Sequence, residues 1–160
     1  MNKEQFEKEL DMKLASLKEE MMQKFKEEQE DEFPEYKDDY WYITSVGAVA
    51  LSWWSGNGTD AEKLAIGNVF RTKEEAEFET ERLKVIAELK KYAEQKDKKW
   101  DGVNPHIYFY HDTKSNEISL ATFFGCKTAA LYFESEEKAK EAIEAVGEDR
   151  VKRFYLGVEE

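Results

Sequence analysis

Cysteine is all but absent from this 160-residue chain: Cys126 stands alone. A single thiol closes no intrachain disulfide and builds no cysteine metal site, which fits a reducing, intracellular setting. Proline appears only at Pro34 and Pro105, so long stretches are free to be helical. The two histidines, His106 and His111, lie five apart on a predicted strand and point to opposite faces, which rules out a shared metal ligand. No apolar run reaches the roughly 18 residues a membrane span needs, so no membrane partner is expected. The opening Met1-Asn2-Lys3-Glu4-Gln5 is too charged for a signal peptide. Positive charge is also short: 24 Lys+Arg against 36 Asp+Glu leaves a net −12. Direct binding to a nucleic-acid backbone, which needs clustered Lys and Arg, is disfavoured.

Catalytic signatures are missing as well. There is no G-x-S-x-G, no phosphate loop and no H-E-x-x-H. Carboxylates are plentiful, but they sit in solvated runs without the apolar setting that tunes a general acid. The expectation is a protein that is not an enzyme and carries neither cofactor nor metal.

What the chain does have is apolar and aromatic side chains, 41% and 14% of residues, enough for a real core. Its length suits one domain, or two small halves sharing a core. The stretch Gly67-Asn68-Val69-Phe70-Arg71-Thr72-Lys73-Glu74-Glu75-Ala76 reads as a β-type step turning into a helix. It returns as Leu131-Tyr132-Phe133-Glu134-Ser135-Glu136-Glu137-Lys138-Ala139, pairing Phe70 with Phe133, Thr72 with Ser135 and Ala76 with Ala139. A hydroxyl residue followed by acids is a helix start: Thr72 and Ser135 are predicted N-caps. The acids suit the positive end of the helix. A unit used twice is predicted, over about 40–95 and 105–147, each a hairpin, an apolar step and a capped helix.

Around these units the chain reads as follows. Residues 2–29 are predicted as one long helix, with Phe6, Leu10, Leu14, Leu17, Met21 and Phe25 on a narrow stripe. Leu10, Leu14, Leu17 and Met21 fit two heptads of a coiled-coil seam; so narrow a stripe either packs on the body of the protein or pairs with its copy in another subunit, and the expectation is the second, a homo-oligomer. The segment 27–39 holds eight acids, Glu27, Glu28, Glu30, Asp31, Glu32, Glu35, Asp38 and Asp39, against one lysine, Lys37, a net −7. It reads either as a solvated linker or as an acidic tract that docks on a basic surface. Residues 40–44 and 48–54 form a predicted hairpin, followed by a Gly-rich loop and a helical turn over 60–65. The helix after Thr72 is expected to reach Gln95 with two apolar faces, Ala76/Leu83/Ile86/Ala87 and Phe78/Val85/Leu89/Tyr92. A second hairpin spans 106–122, and the last helix buries Ala139, Ala142, Ile143 and Val146 before Gly147 ends it. The expected class is α+β: a long N-terminal helix over 1–33, then a body over 34–160 made of the two repeats and a short C-terminal element, its antiparallel sheet carrying helices on one face.

The strand Tyr40-Trp41-Tyr42-Ile43, the step Gly67-Asn68-Val69-Phe70-Arg71-Thr72-Lys73-Glu74-Glu75-Ala76 and the closing Tyr132-Phe133-Glu134-Ser135 together resemble small proteins encoded by phages and prophages of Gram-positive bacteria. The resemblance covers about 40–156. It implies a setting, the cytoplasm of a bacterial host, and interaction with host machinery, including anti-defence proteins such as CRISPR–Cas inhibitors. It carries over no catalytic residue.

The expected function is therefore inhibition of a host protein, such as a basic nucleic-acid-binding enzyme, through acidic and aromatic surface. Trp53-Trp54 beside the Gly-rich loop is the candidate anchor, because adjacent strand residues face opposite ways and one of the two is left outward. The alternatives are a self-assembling accessory phage protein, and a binder that sequesters a nucleotide on an aromatic face. Tyr40 with Tyr42, and Tyr108 with Tyr110 and His106, form such faces; the expectation for them is core, covered by helix.

Overall fold

The computed structural model describes residues 12–22, 24, 33–94, 102–125 and 130–158. Cys126, Leu10, Glu27, Glu28, Glu30, Asp31 and Glu32 lie outside them, as do most of residues 2–29. The described chain is mixed α and β. It divides into one unit of residues Met1–Tyr42 and Ala50–Thr72 and another of Ile43–Val49 and Lys73–Glu160. Its strands form two separate two-stranded sheets.

In the first unit helix α1 covers residues 12–22. Strand β1 (Asp39–Ile43) pairs with β2 (Val49–Trp53). Their aromatic and β-branched side chains favour the extended backbone. Gly47, at φ +78°, supplies the left-handed turn that other side chains resist. The Thr44 N–H donates to Ala48 O and the Trp54 N–H to Asp38 O, a register that sets Trp41 opposite Leu51. Helix α2 (Gly58–Ala65) starts at Asn57, whose side chain accepts from the Asp60 N–H at 3.0 Å. Phe70 then forms an antiparallel bridge with Trp41, each N–H donating to the other's carbonyl at 2.9 Å.

The described end of the acidic segment is hydrogen-bonded into a turn. The Glu35 N–H donates to the Asp38 carboxylate, the Asp38 N–H returns to Glu35 O, and the Lys37 N–H reaches Trp54 O. Asp38 uses its charge to close a turn ahead of β1. The Arg71 guanidinium lies over the Phe33 ring, 4.7 Å from its centroid.

The second unit carries helix α3 (Lys73–Leu89), the hairpin β3 (His106–Asp112) and β4 (Glu117–Phe123), and helix α4 (Glu136–Val146). A helical turn, Glu148–Arg150, and a π-helical turn, Val151–Tyr155, follow. β3 and β4 pair in register from His106 opposite Phe123 to Asp112 opposite Glu117. Phe133 bridges antiparallel to Ile107. The core is Val85 and Leu89 of α3, Ile107 and Phe109 of β3, Phe133, Ala139, Ala142 and Val146 of α4, and Val151. The helices thus cover one face of this sheet. Phe109 stacks on Phe133 at 5.2 Å and meets Tyr155 edge-on at 5.3 Å.

Ser135 caps α4 as expected, its hydroxyl accepting from the Lys138 N–H at 3.2 Å. Gly147 ends it at φ +96°. Arg150 ties the C-terminal turns to α3 through a forked pair with Glu88, at 2.9 and 3.2 Å. Helix α3 departs from expectation. It stops at Leu89, and the face it buries is Ala76, Thr80, Val85 and Leu89, while Leu83, Ala87 and Phe78 are exposed. Thr80 can lie in that face because its hydroxyl donates to Ala76 O at 2.8 Å.

Candidate functional site

The outer side of the β1–β2 hairpin carries exposed apolar side chains. Leu51 and Trp53 sit two apart on β2 and point the same way. Both are open, at 53% and 54% exposure, and half-buried Trp41 stands opposite Leu51. Trp54 faces the other side, half-buried, with its ring edge-on to Tyr40 at 6.0 Å.

What holds this hairpin in shape lies on its inner side. Tyr40 is fully buried and donates its hydroxyl proton to Asp60 Oδ1 at 2.8 Å. Asp60 is itself buried, on α2. Its Oδ2 accepts from both the N–H and the hydroxyl of Ser55, at 2.8 and 2.6 Å. Lys63 completes the group: its ammonium donates to the Tyr40 oxygen at 2.8 Å and stands 3.9 Å from the centroid of the Tyr42 ring. The Ser55 hydroxyl, then the Ser55 N–H, Tyr40 and the Lys63 charge favour the ionised carboxylate over the opposing effect of burial. They hold Asp60 at about 2, well below its ordinary value. The Gly-rich loop beside Trp53 is therefore pinned at Ser55, Asn57 and Asp60. Sequence reading placed the loop and the short helix but missed this carboxylate. Its signal was local, an acid three residues after Asn57 at a helix start.

Three of the acidic candidates lie among the described residues. Glu35 and Asp39 are exposed; Asp38 is half-buried in its turn. Glu27, Glu28, Glu30, Asp31 and Glu32 lie outside the described residues, as does Leu10. Leu14, Leu17 and Met21 are exposed on α1, at 56%, 53% and 65%.

In the second unit His106, Tyr108 and Tyr110 share the β3 face away from the helices. The expected helix cover lies on the opposite face, over Ile107 and Phe109. Tyr110 is exposed and Tyr108 half-buried. Tyr108 packs edge-on against Phe123 at 5.2 Å and near Tyr132 at 6.0 Å. His106 is fully buried, its Nδ1 2.7 Å from the buried Glu94 carboxylate. His111 bonds instead to Asn116, at 2.9 Å, so the two histidines serve separate partners. Among the described residues no group of three His, Cys, Asp or Glu side chains is placed to hold a metal ion. No helix among them is long and apolar enough to cross a membrane.

Compared with known proteins, the chain matches no family model, no curated protein and no solved structure.

Proposed function

We propose that this chain is a non-catalytic, acidic binding protein of the phage type, which engages and blocks a protein of its bacterial host, as anti-defence proteins do. The observation that carries the reading is the open Leu51–Trp53 pair on a hairpin braced from behind by Tyr40, Asp60, Ser55 and Lys63. A rigid aromatic anchor loses little side-chain freedom on binding and contributes most of the energy of a typical contact. The chain's net −12 favours a basic partner, such as a nucleic-acid-binding enzyme, and speeds its encounter. Capture from host lysate, at low and physiological salt, with wild type and Trp53→Ala side by side tests this. The expected result is a basic protein held by wild type and lost from the variant; recovery of no stable basic protein overturns it.

The same reading includes a body built from one unit used twice, behind an N-terminal helix longer than residues 12–22. Two parallels support the repeat. Phe70 bridges Trp41 and Phe133 bridges Ile107, and a helix begins three residues after each phenylalanine. The residue before each bridge partner, Tyr40 or His106, is fully buried and bonded to a carboxylate.

A second reading rests on the tyrosine face, where Tyr110 is exposed and Tyr108 half-buried. Tyr108 and Tyr110, with ring centroids 6.1 Å apart, offer a surface for a planar ligand such as a nucleotide. Binding there would raise the melting temperature in a nucleotide thermal-shift screen; no shift with any nucleotide excludes it.

A further inference from the structure

We infer that α1 is the pairing surface for a second copy of this chain, and that the two helices run antiparallel. Three observations carry this. First, Leu14, Leu17 and Met21 are all exposed, and they follow the three-then-four spacing of a heptad seam. Helices in proteins draw most of their stability from packing an apolar face rather than from propensity, so the exposed stripe needs a partner surface. Second, the charge is balanced where it is excessive elsewhere. Residues 1–26 carry six lysines and six acids, a net of zero, in a chain of net −12. Two copies can therefore approach through this segment without the repulsion that their acidic remainder would impose.

Third, the flanking charges choose the direction. With Leu14 and Met21 at a positions and Leu17 at d, Lys13 and Glu20 fall at g and Lys18 at e. In a parallel pair, g of one helix meets e of the other five residues on, which sets Lys13 against Lys18 of the second copy, twice. In an antiparallel pair g meets g, which sets Lys13 against Glu20 of the second copy, also twice. The apolar layers agree, since a then meets d and Leu14 packs on Leu17. The same residues that repel in one direction attract in the other.

Sedimentation velocity of the full-length chain over a range of concentrations tests the inference. Wild type should show a monomer–dimer equilibrium. Lys13→Glu turns two attractive contacts into two Glu–Glu contacts and should weaken dimerisation roughly tenfold; Glu20→Lys should do the same. The double variant K13E/E20K restores opposite charges and should return the equilibrium to within about twofold of wild type. Both changes sit on exposed positions, and unchanged melting of each of the three variants shows that folding is intact. A parallel pair predicts the opposite sign, because Lys13→Glu would then face Lys18 and tighten the dimer. A wild type that stays monomeric, a larger assembly, a tighter Lys13→Glu dimer or a double variant no better than the singles would each overturn the inference.

Discussion

Phe133→Ala is the sharpest probe of how the second unit is held together. Phe133 is fully buried, stacks on Phe109 at 5.2 Å, bridges to Ile107 and belongs to the same core cluster as Ala139 and Ala142 of α4. A phenylalanine buries roughly 150–250 Å². At about 25 cal/mol per Å² that is about 4–6 kcal/mol against an extended reference chain, which overstates the area removed from water. Replacement by alanine keeps part of the contact but opens a cavity, and such changes cost about 3–5 kcal/mol. In a chain of this length each kcal/mol moves the melting temperature by about 2–4 °C, so a fall of roughly 6–20 °C is expected. Phe133→Leu, which refills much of the space, should cost under about 2 kcal/mol. Urea unfolding followed by far-UV circular dichroism measures both. A loss below about 1 kcal/mol for Phe133→Ala would refute the placement of this residue at the centre of the core.

Ser135→Ala removes the side-chain oxygen that accepts from the Lys138 N–H and should cost about 0.5–2 kcal/mol, read from the same melts; no loss would mean that α4 needs no cap. Asp60 makes stability acid-sensitive in a defined window. Its folded carboxyl sits at about 2 and its unfolded one near 3.8, so the unfolded chain takes up the proton first as pH falls. The stabilisation is complete above about pH 4, shrinks as pH drops from there towards about 2, and is gone below. Urea melts of wild type and Asp60→Asn between pH 6 and about pH 2 should converge over that range; parallel curves throughout would contradict the assignment.

How much of this was readable beforehand depends on the range of the interactions. The hairpins were legible because β-branched and aromatic runs flank turns marked by Gly47 and by Asp112–Asn116. The face of α4 was legible because its packing residues, Ala139, Ala142 and Val146, are all apolar. Helix α3 was misread because its buried face includes Thr80, whose polarity is hidden by a bond to its own helix, while Leu83 faces water. The tyrosine face was expected under helix because its composition looks like core; which side the helices take is decided by Ile107 and Phe109, one residue out of step. The Tyr40–Asp60 and His106–Glu94 pairings are not legible because their members lie 20 and 12 positions apart, although the position of Asp60 at a helix start is a local signal. Of the candidate anchor, strand alternation alone established that Trp53 and Trp54 part company, but not which one faces out.

Trp53 is the proposed anchor. Once a host partner is captured, its dissociation constant should be measured by calorimetry with wild type, Trp53→Ala and Trp54→Phe. An exposed anchor at the centre of a contact costs about 2 kcal/mol or more when truncated, so Trp53→Ala should weaken binding at least about thirtyfold and relieve inhibition in step. Trp54→Phe keeps an inward-facing ring and should bind as wild type does. Equal affinities for wild type and Trp53→Ala would contradict the claim that this hairpin face is where the protein acts.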